Sequence, residues 1–211
     1  MGTKKLNSIY KKLYTSFGPQ YWWPGDGPFE VTAGAILTQN TNWQNVEKAI
    51  NNLKAARALS PKKLHEMSHD KLAQLIRPAG YFNVKARRLK NFTNFLFNKY
   101  GGSLKKLFNQ GIESLRKELL SVNGIGEETA DSIILYAANL PIFVVDAYTK
   151  RIFSRHNFIR HDADYSEVQK FFMENLNKDV KMFNEFHALI VKLGKEFCLK
   201  SNQRCKLCPI G

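Results

Sequence analysis

At 211 residues the chain can bury a core as one domain or as two small interlocked ones, and 44% hydrophobic with 12% aromatic residues excludes a disordered polymer. Thirty-two Lys and Arg against eighteen Asp and Glu leave a net charge of +14, which suits a polyanionic partner because each neutralised phosphate releases condensed counterions. No apolar run approaches the roughly 18–20 residues that cross a bilayer, and no long basic amphipathic helix offers itself to a membrane surface.

The periodicity is helical almost throughout. The first segment, MGTKKLNSIYKKLY, carries charge but lacks the apolar core and cleavage site of a secretory leader. Leu6 stands where a myristoylation signal would need Ser or Thr, so a cytoplasmic location is expected. GPQYWWPGDGP, with Pro19, Pro24 and Pro28 among Gly18, Gly25 and Gly27, reads as an irregular connection between helices. From Trp43 the apolar positions Val46, Ala49, Ile50 and Leu53 make the stripe of a half-buried helix. Ser60-Pro61 reads as an N-cap with proline in the first turn.

Further on, Leu115, Leu119 and Leu120 close one helical pattern, and Ala130, Ile133, Ile134 and Ala137 open the next. Between them lie Gly124 and Gly126, which permit a tight hairpin whose amides face outward at a helix N-terminus, with Ile125 turned inward as its anchor. Such amides can hold a phosphate without reading a base; a purely structural turn would use the same residues. PIFVVD is short and runs straight into another helical pattern. Its Asp146 suits an N-cap, and equally a site where positive charge develops. Phe186, Ile190, Leu193 and Phe197 mark a last long helix. Roughly ten helices and an all-α fold are expected. The three cysteines, Cys198, Cys205 and Cys208, are clustered at the end, which in a reducing compartment points to metal rather than to disulfide.

Four stretches in order resemble the helix-hairpin-helix DNA glycosylase superfamily of the endonuclease III kind, over nearly the whole chain: ILTQNTNWQNVEKA, GYFNVKARRLKN, NGIGEETAD with PIFVVDAY, and CLKSNQRCKLC. The resemblance implies two interlocked helical parts, a six-helix barrel with the hairpin over residues 28–140, and residues 1–27 with 141–211. It implies that Gln39, with Asn40 beside it, enters the duplex where a nucleotide has been flipped out, and that Gly124, Ile125, Gly126 and Thr129 meet the DNA backbone. Asp146 becomes the catalytic carboxylate, stabilising oxocarbenium character and orienting or deprotonating water. Glu128 stands where strand-cleaving members carry a lysine, so an imine cannot form there and a monofunctional glycosylase is expected.

Trp22, Trp23, Pro24 and Trp43 resemble the aromatic pocket of the 3-methyladenine branch, and Lys195 resembles its pocket lysine. Trp faces attract cations, which suits an alkylated purine; packing is the plainer use of adjacent tryptophans. Oxidised pyrimidines and mismatched bases are the alternative substrates, and a non-catalytic DNA-binding module is the alternative class. The spacing of Cys198, Cys205 and Cys208 resembles the first three ligands of a 4Fe–4S cluster, with the fourth cysteine absent from this chain; zinc, or three thiols without metal, are the other readings. The expected partner is double-stranded DNA with a damaged base, met by a monomer in the nucleoid, with no membrane involved.

Overall fold

The computed structural model describes residues 2–22 and 25–211. Twelve α-helices, and no strand, are found among the described residues. In chain order they are α1 (Gly2–Phe17), α2 (Pro28–Leu37), α3 (Trp43–Ala55), α4 (Pro61–Glu66), α5 (His69–Leu75), α6 (Phe82–Tyr100), α7 (Leu104–Phe108), α8 (Ile112–Leu120), α9 (Glu127–Ser132), α10 (Ala147–Arg155), α11 (Tyr165–Asn175) and α12 (Val180–Glu196). Helix α9 runs on into a wider π turn, Ile133–Ala137. The count exceeds ten because α4 and α7 bury a single residue each, Leu64 and Leu107. One buried position cannot set a period. No helix is long and apolar enough to cross a membrane among the described residues.

The chain divides into two compact units, residues 24–140 and residues 1–23 with 141–211. In the first, α6 is the spine. It buries Lys85, Ala86, Leu89, Phe92, Thr93 and Leu96, a stripe of helical period, against α4 and α5. Two of its lysines cap other elements instead of reaching solvent. Lys90 Nζ donates to the carbonyls of Leu64, His65 and Met67 at the end of α4, a favourable place for a cation. Lys85 Nζ donates to Ala79 O at 2.7 Å; burial, with Arg88 nearby, lowers its pKa to about 8. Ser60 caps α4 by accepting from Lys63 N–H, with Pro61 in the first turn.

The second unit is built on phenylalanines. Phe143 stacks on Phe172 with centroids 4.0 Å apart, and Phe183 and Phe186 meet it edge-on. Each such ring, once buried, stabilises by about 1.5–3 kcal/mol. Residues Ile142 to Val145 are buried yet form no strand, so their backbone groups need other partners. Three side chains from one face of α11 supply them. Tyr165 Oη accepts from Val145 N–H, Gln169 Nε2 donates to Phe143 O, and Met173 Sδ accepts from Phe143 N–H. This clamps the segment that delivers Asp146 to the start of α10. Where α10 crosses α12, a Cβ on Gly194 would lie 2.3 Å from Tyr148 Cδ1, so only glycine allows that approach.

Candidate active site

Asp146 is the N-cap of α10. Its Oδ1 accepts from Thr149 N–H at 2.7 Å and from the Thr149 hydroxyl at 2.8 Å. Its Oδ2 lies 3.5 Å from His187 Nε2 on α12, and the two side chains are only 11% and 6% exposed. Burial pushes the Asp146 carboxyl up, but the His187 imidazole and the two Thr149 donors outweigh it and hold the group below its ordinary range. An ionised carboxylate is therefore kept where little of it reaches water. The carboxylate caps its helix as expected, and it also keeps a second oxygen that the cap does not use.

Around this pair the same unit gathers an aromatic ring and a cation. Trp22 meets the His187 ring edge-on, with centroids 6.5 Å apart. Lys195, in the last turn of α12, places Nζ 5.8 Å from the centre of a Trp22 ring. Trp23 and Pro24, also expected in a pocket, lie outside the described residues. Trp43 belongs to the other unit, half-buried at the first position of α3, where Asn42 caps the helix by accepting from Asn45 N–H.

The hairpin keeps its glycines for distinct reasons. Gly124 has φ +95°, and a Cβ there would lie 2.4 Å from Arg88 Cγ. Gly126 is exposed with ordinary backbone and serves as the N-cap of α9. Ile125 is 5% exposed and bonds back to Val122 O at 3.0 Å. Across the turn, Arg116 of α8 clamps the buried Asp131 of α9 through Nε and Nη2 at 2.8 and 3.2 Å, and pairs with Glu127. Glu128 is exposed in the first turn of α9. Leu120, the last apolar position of the pattern that closes α8, is 36% exposed, because the inward face of α8 falls on Leu115 and Leu119.

Gln39 is tied to this hairpin by all of its amide. Nε2 donates to Gly124 O at 3.1 Å and to Thr129 Oγ1 at 2.8 Å, and Oε1 accepts from Arg88 Nη1. Asn40, next to it, is exposed with φ +54°, a conformation asparagine tolerates well. So Gln39, Gly124 and Thr129 are brought together. His187, Arg88, Arg116 and Asp131 also belong to these sites, yet the sequence reading omitted them. A lone histidine inside the apolar run FHALIV was a signal for His187; Arg88 gave none within the basic KARRLK.

The three cysteines lie in and after the turn that follows α12. Cys198 is buried, Cys208 half-buried and Cys205 exposed, and among the described residues no three His, Cys, Asp or Glu side chains gather as a metal site. Two arginines of α10 organise the loop instead. Arg151 donates to the carbonyls of Gly194 and Cys198, and Arg155 donates to the carbonyls of Leu199 and Lys200 and to Cys198 Sγ at 3.3 Å. Cys198 Sγ thus faces a guanidinium, while Cys205 and Cys208 border a short turn of their own, Cys205–Leu207.

Residues 33–178 match the HhH-GPD superfamily base excision DNA repair protein family. The chain is 51% identical, over 97% of its length and 93% of the relative's, to a Methanocaldococcus jannaschii protein provisionally named a DNA repair glycosylase. It is 27% identical to the endonuclease III of Thermotoga maritima, over 86% of this chain and 79% of that one. Among solved structures it resembles the H. pylori 3-methyladenine DNA glycosylase bound to 1,N6-ethenoadenine, with a TM-score of 0.77, 28% identity, and coverage of 92% of this chain and 97% of that one.

Proposed function

The chain belongs to the HhH-GPD superfamily of base excision DNA repair proteins, and we propose that this DNA glycosylase is monofunctional and releases an alkylated purine such as 3-methyladenine by water attack. The observation that carries the reading is Asp146, a buried carboxylate held ionised with one oxygen beyond its capping bonds.

As the N-glycosidic bond lengthens, its electron pair leaves with the base and positive charge grows on the sugar. The Asp146 carboxylate opposes that charge, and its field is strong because little water surrounds it. Water bonds to the anomeric carbon and gives its proton to the carboxylate. A cationic purine leaves as a neutral base, so no separate acid is required. Glu128 occupies the lyase-lysine position of strand-cleaving relatives; a carboxylate cannot form an imine, and the product is an intact abasic strand. Gln39, on leaving its bonds to Gly124, Thr129 and Arg88, fills the vacated stack, and the hairpin amides of Gly124 and Gly126, together with Thr129, hold the backbone phosphate.

One observation favours a second reading of the substrate. Lys195 already brings positive charge to Trp22, which repels a cationic base there and suits a neutral one with a carbonyl acceptor, such as a mismatched or oxidised pyrimidine. A release assay on duplexes carrying 3-methyladenine, 1,N6-ethenoadenine, uracil opposite guanine and an oxidised pyrimidine separates the two. Preference for the alkylpurines supports the first reading, and preference for the pyrimidines replaces it with the second. Borohydride added during turnover should trap no protein–DNA adduct; efficient trapping would show that another lysine performs lyase chemistry.

A further inference from the structure

Helix α12 is buried on every side through its middle, with Phe183, Phe186, Ala188, Leu189, Ile190 and Val191 all buried. His187 sits within this run at 4% exposure. Burying an imidazole among such residues costs free energy unless a polar partner compensates, and the polar group 3.5 Å away is Asp146 Oδ2. Capping does not require that contact. Thr149 already supplies both a backbone and a hydroxyl donor to Oδ1, more than an N-cap ordinarily uses.

We infer that His187 is the positioning residue of base release, holding the carboxylate oxygen of Asp146 that Thr149 does not take. The inference rests on the reading of Asp146 as the catalytic carboxylate. With Oδ1 bonded from α10 and the His187 ring 3.5 Å from Oδ2, rotation of the carboxylate plane is opposed from two helices, so the oxygen that opposes the sugar's charge is oriented before substrate arrives. Trp22 lies edge-on to the imidazole and keeps that ring in place. The other charged groups nearby are committed elsewhere. Lys195, about two turns further along α12, lies over Trp22; Arg151 of α10 binds the Gly194 and Cys198 carbonyls; and Glu185 accepts from Gln20 N–H. His187 is thus the partner that α12 brings to Asp146, and its loss leaves burial opposed by Thr149 alone.

The test uses His187→Gln, which keeps an N–H donor without a titratable ring, beside His187→Ala and Asp146→Asn. Carbon-13 carboxyl NMR follows the Asp146 titration, assigned by its absence in Asp146→Asn, and needs no substrate. Base release is measured against pH on dimethyl-sulfate-treated duplex DNA and on a uracil–guanine duplex, with melting temperature alongside. His187→Gln should raise the Asp146 titration and the acid limb of release together by roughly one pH unit. His187→Ala should also slow release about 10- to 100-fold at neutral pH, with Gln recovering part of that loss. If the Asp146 titration and the acid limb are unchanged in His187→Gln while Asp146→Asn is inactive, the role of His187 is overturned and Asp146 stands. If Asp146→Asn releases base at full rate, the catalytic reading falls and the inference falls with it.

Discussion

At the hairpin of residues 122–131 the proposed working surface is backbone, and the charges beside it, Arg116, Glu127 and Asp131, are matched to one another. At Asp146 the proposed working group is a side chain, little exposed and met by one imidazole and one threonine. A phosphate is a permanent charge, so it can be met by amides that need only the right φ and ψ. An oxocarbenium centre exists for an instant, so it must be met by a charge already in place. The first region therefore tolerates changes of side chain except where glycine or the Arg116 clamp sets its shape. The second depends on three named residues.

The sharpest break is Asp146→Asn. Loss of a placed electrostatic group costs on the order of 10²–10³-fold in rate, while DNA affinity should stay within a few-fold, because the hairpin is untouched. Single-turnover release and filter binding on the same duplex check both halves. Since Asp146 is held below its ordinary range, wild-type release should persist at acid pH beyond the point where a normal carboxylate is protonated. Stability follows the same sign: its contribution is complete above the unfolded carboxylate's pKa and is lost as pH falls through the lower folded value.

The hairpin counterpart is Asp131→Ala. Asp131 is fully buried, whereas Arg116 is 23% exposed and keeps its pair with Glu127; removing Asp131 therefore forfeits its charge-assisted bonds, at about 1.5–3 kcal/mol. Denaturant melts should show that loss, and DNA affinity should fall with it, whereas the catalytic step on bound substrate should change little. A variant that binds normally but reacts slowly would erase the distinction between the two regions.

How much of this was legible in the sequence follows the same division. The stripes of α3 and α12 were readable, because Val46, Ala49, Ile50 and Leu53, or Phe186, Ile190 and Leu193, repeat at the helical period and are buried. The two glycines and Ile125 were readable because a turn is local. Pairings across the fold were not. Nothing near Asp146 in the chain announces His187, and nothing near Gly124 announces Arg88. The cysteine spacing suggested a ligand ladder, yet spacing carries no information about Arg155, which approaches Cys198 Sγ from another helix.

A smaller change probes the hairpin backbone itself. Gly124→Ala adds a Cβ at φ +95° and 2.4 Å from Arg88 Cγ. Strain at such a position costs on the order of 1–3 kcal/mol, and moving Arg88 also loosens its bond to Gln39. DNA affinity should drop by about tenfold, with the slope of affinity against salt reduced if a phosphate contact is lost. Release from saturated complexes should slow less than binding weakens; the reverse order would make Gly124 part of the chemical step.

The smallest effect on binding and release concerns neither site directly but the spine that carries Arg88. Lys85 is 1% exposed, and its pKa is lowered to about 8, chiefly by burial. In the unfolded chain it would titrate at the ordinary lysine value of about 10.4. Between those limits the unfolded chain holds a proton that the folded chain has released. Raising the pH through that window therefore favours the fold, and below about 8 the full cost of burying an ammonium is felt. Lys85→Met keeps most of the buried stem but removes the titration, and it leaves Ala79 O without the donor that now reaches it at 2.7 Å. The wild type should gain about 2 kcal/mol relative to Lys85→Met between pH 8 and 10, seen as a difference of about 4–8 °C in melting temperature. Because the general loss of positive charge with rising pH acts on both proteins, only that difference reports on Lys85. Parallel melting curves across the window would mean that the ammonium is solvated through local opening of α6, and Arg88, one turn away, would then be held less firmly than its bond to Gln39 implies.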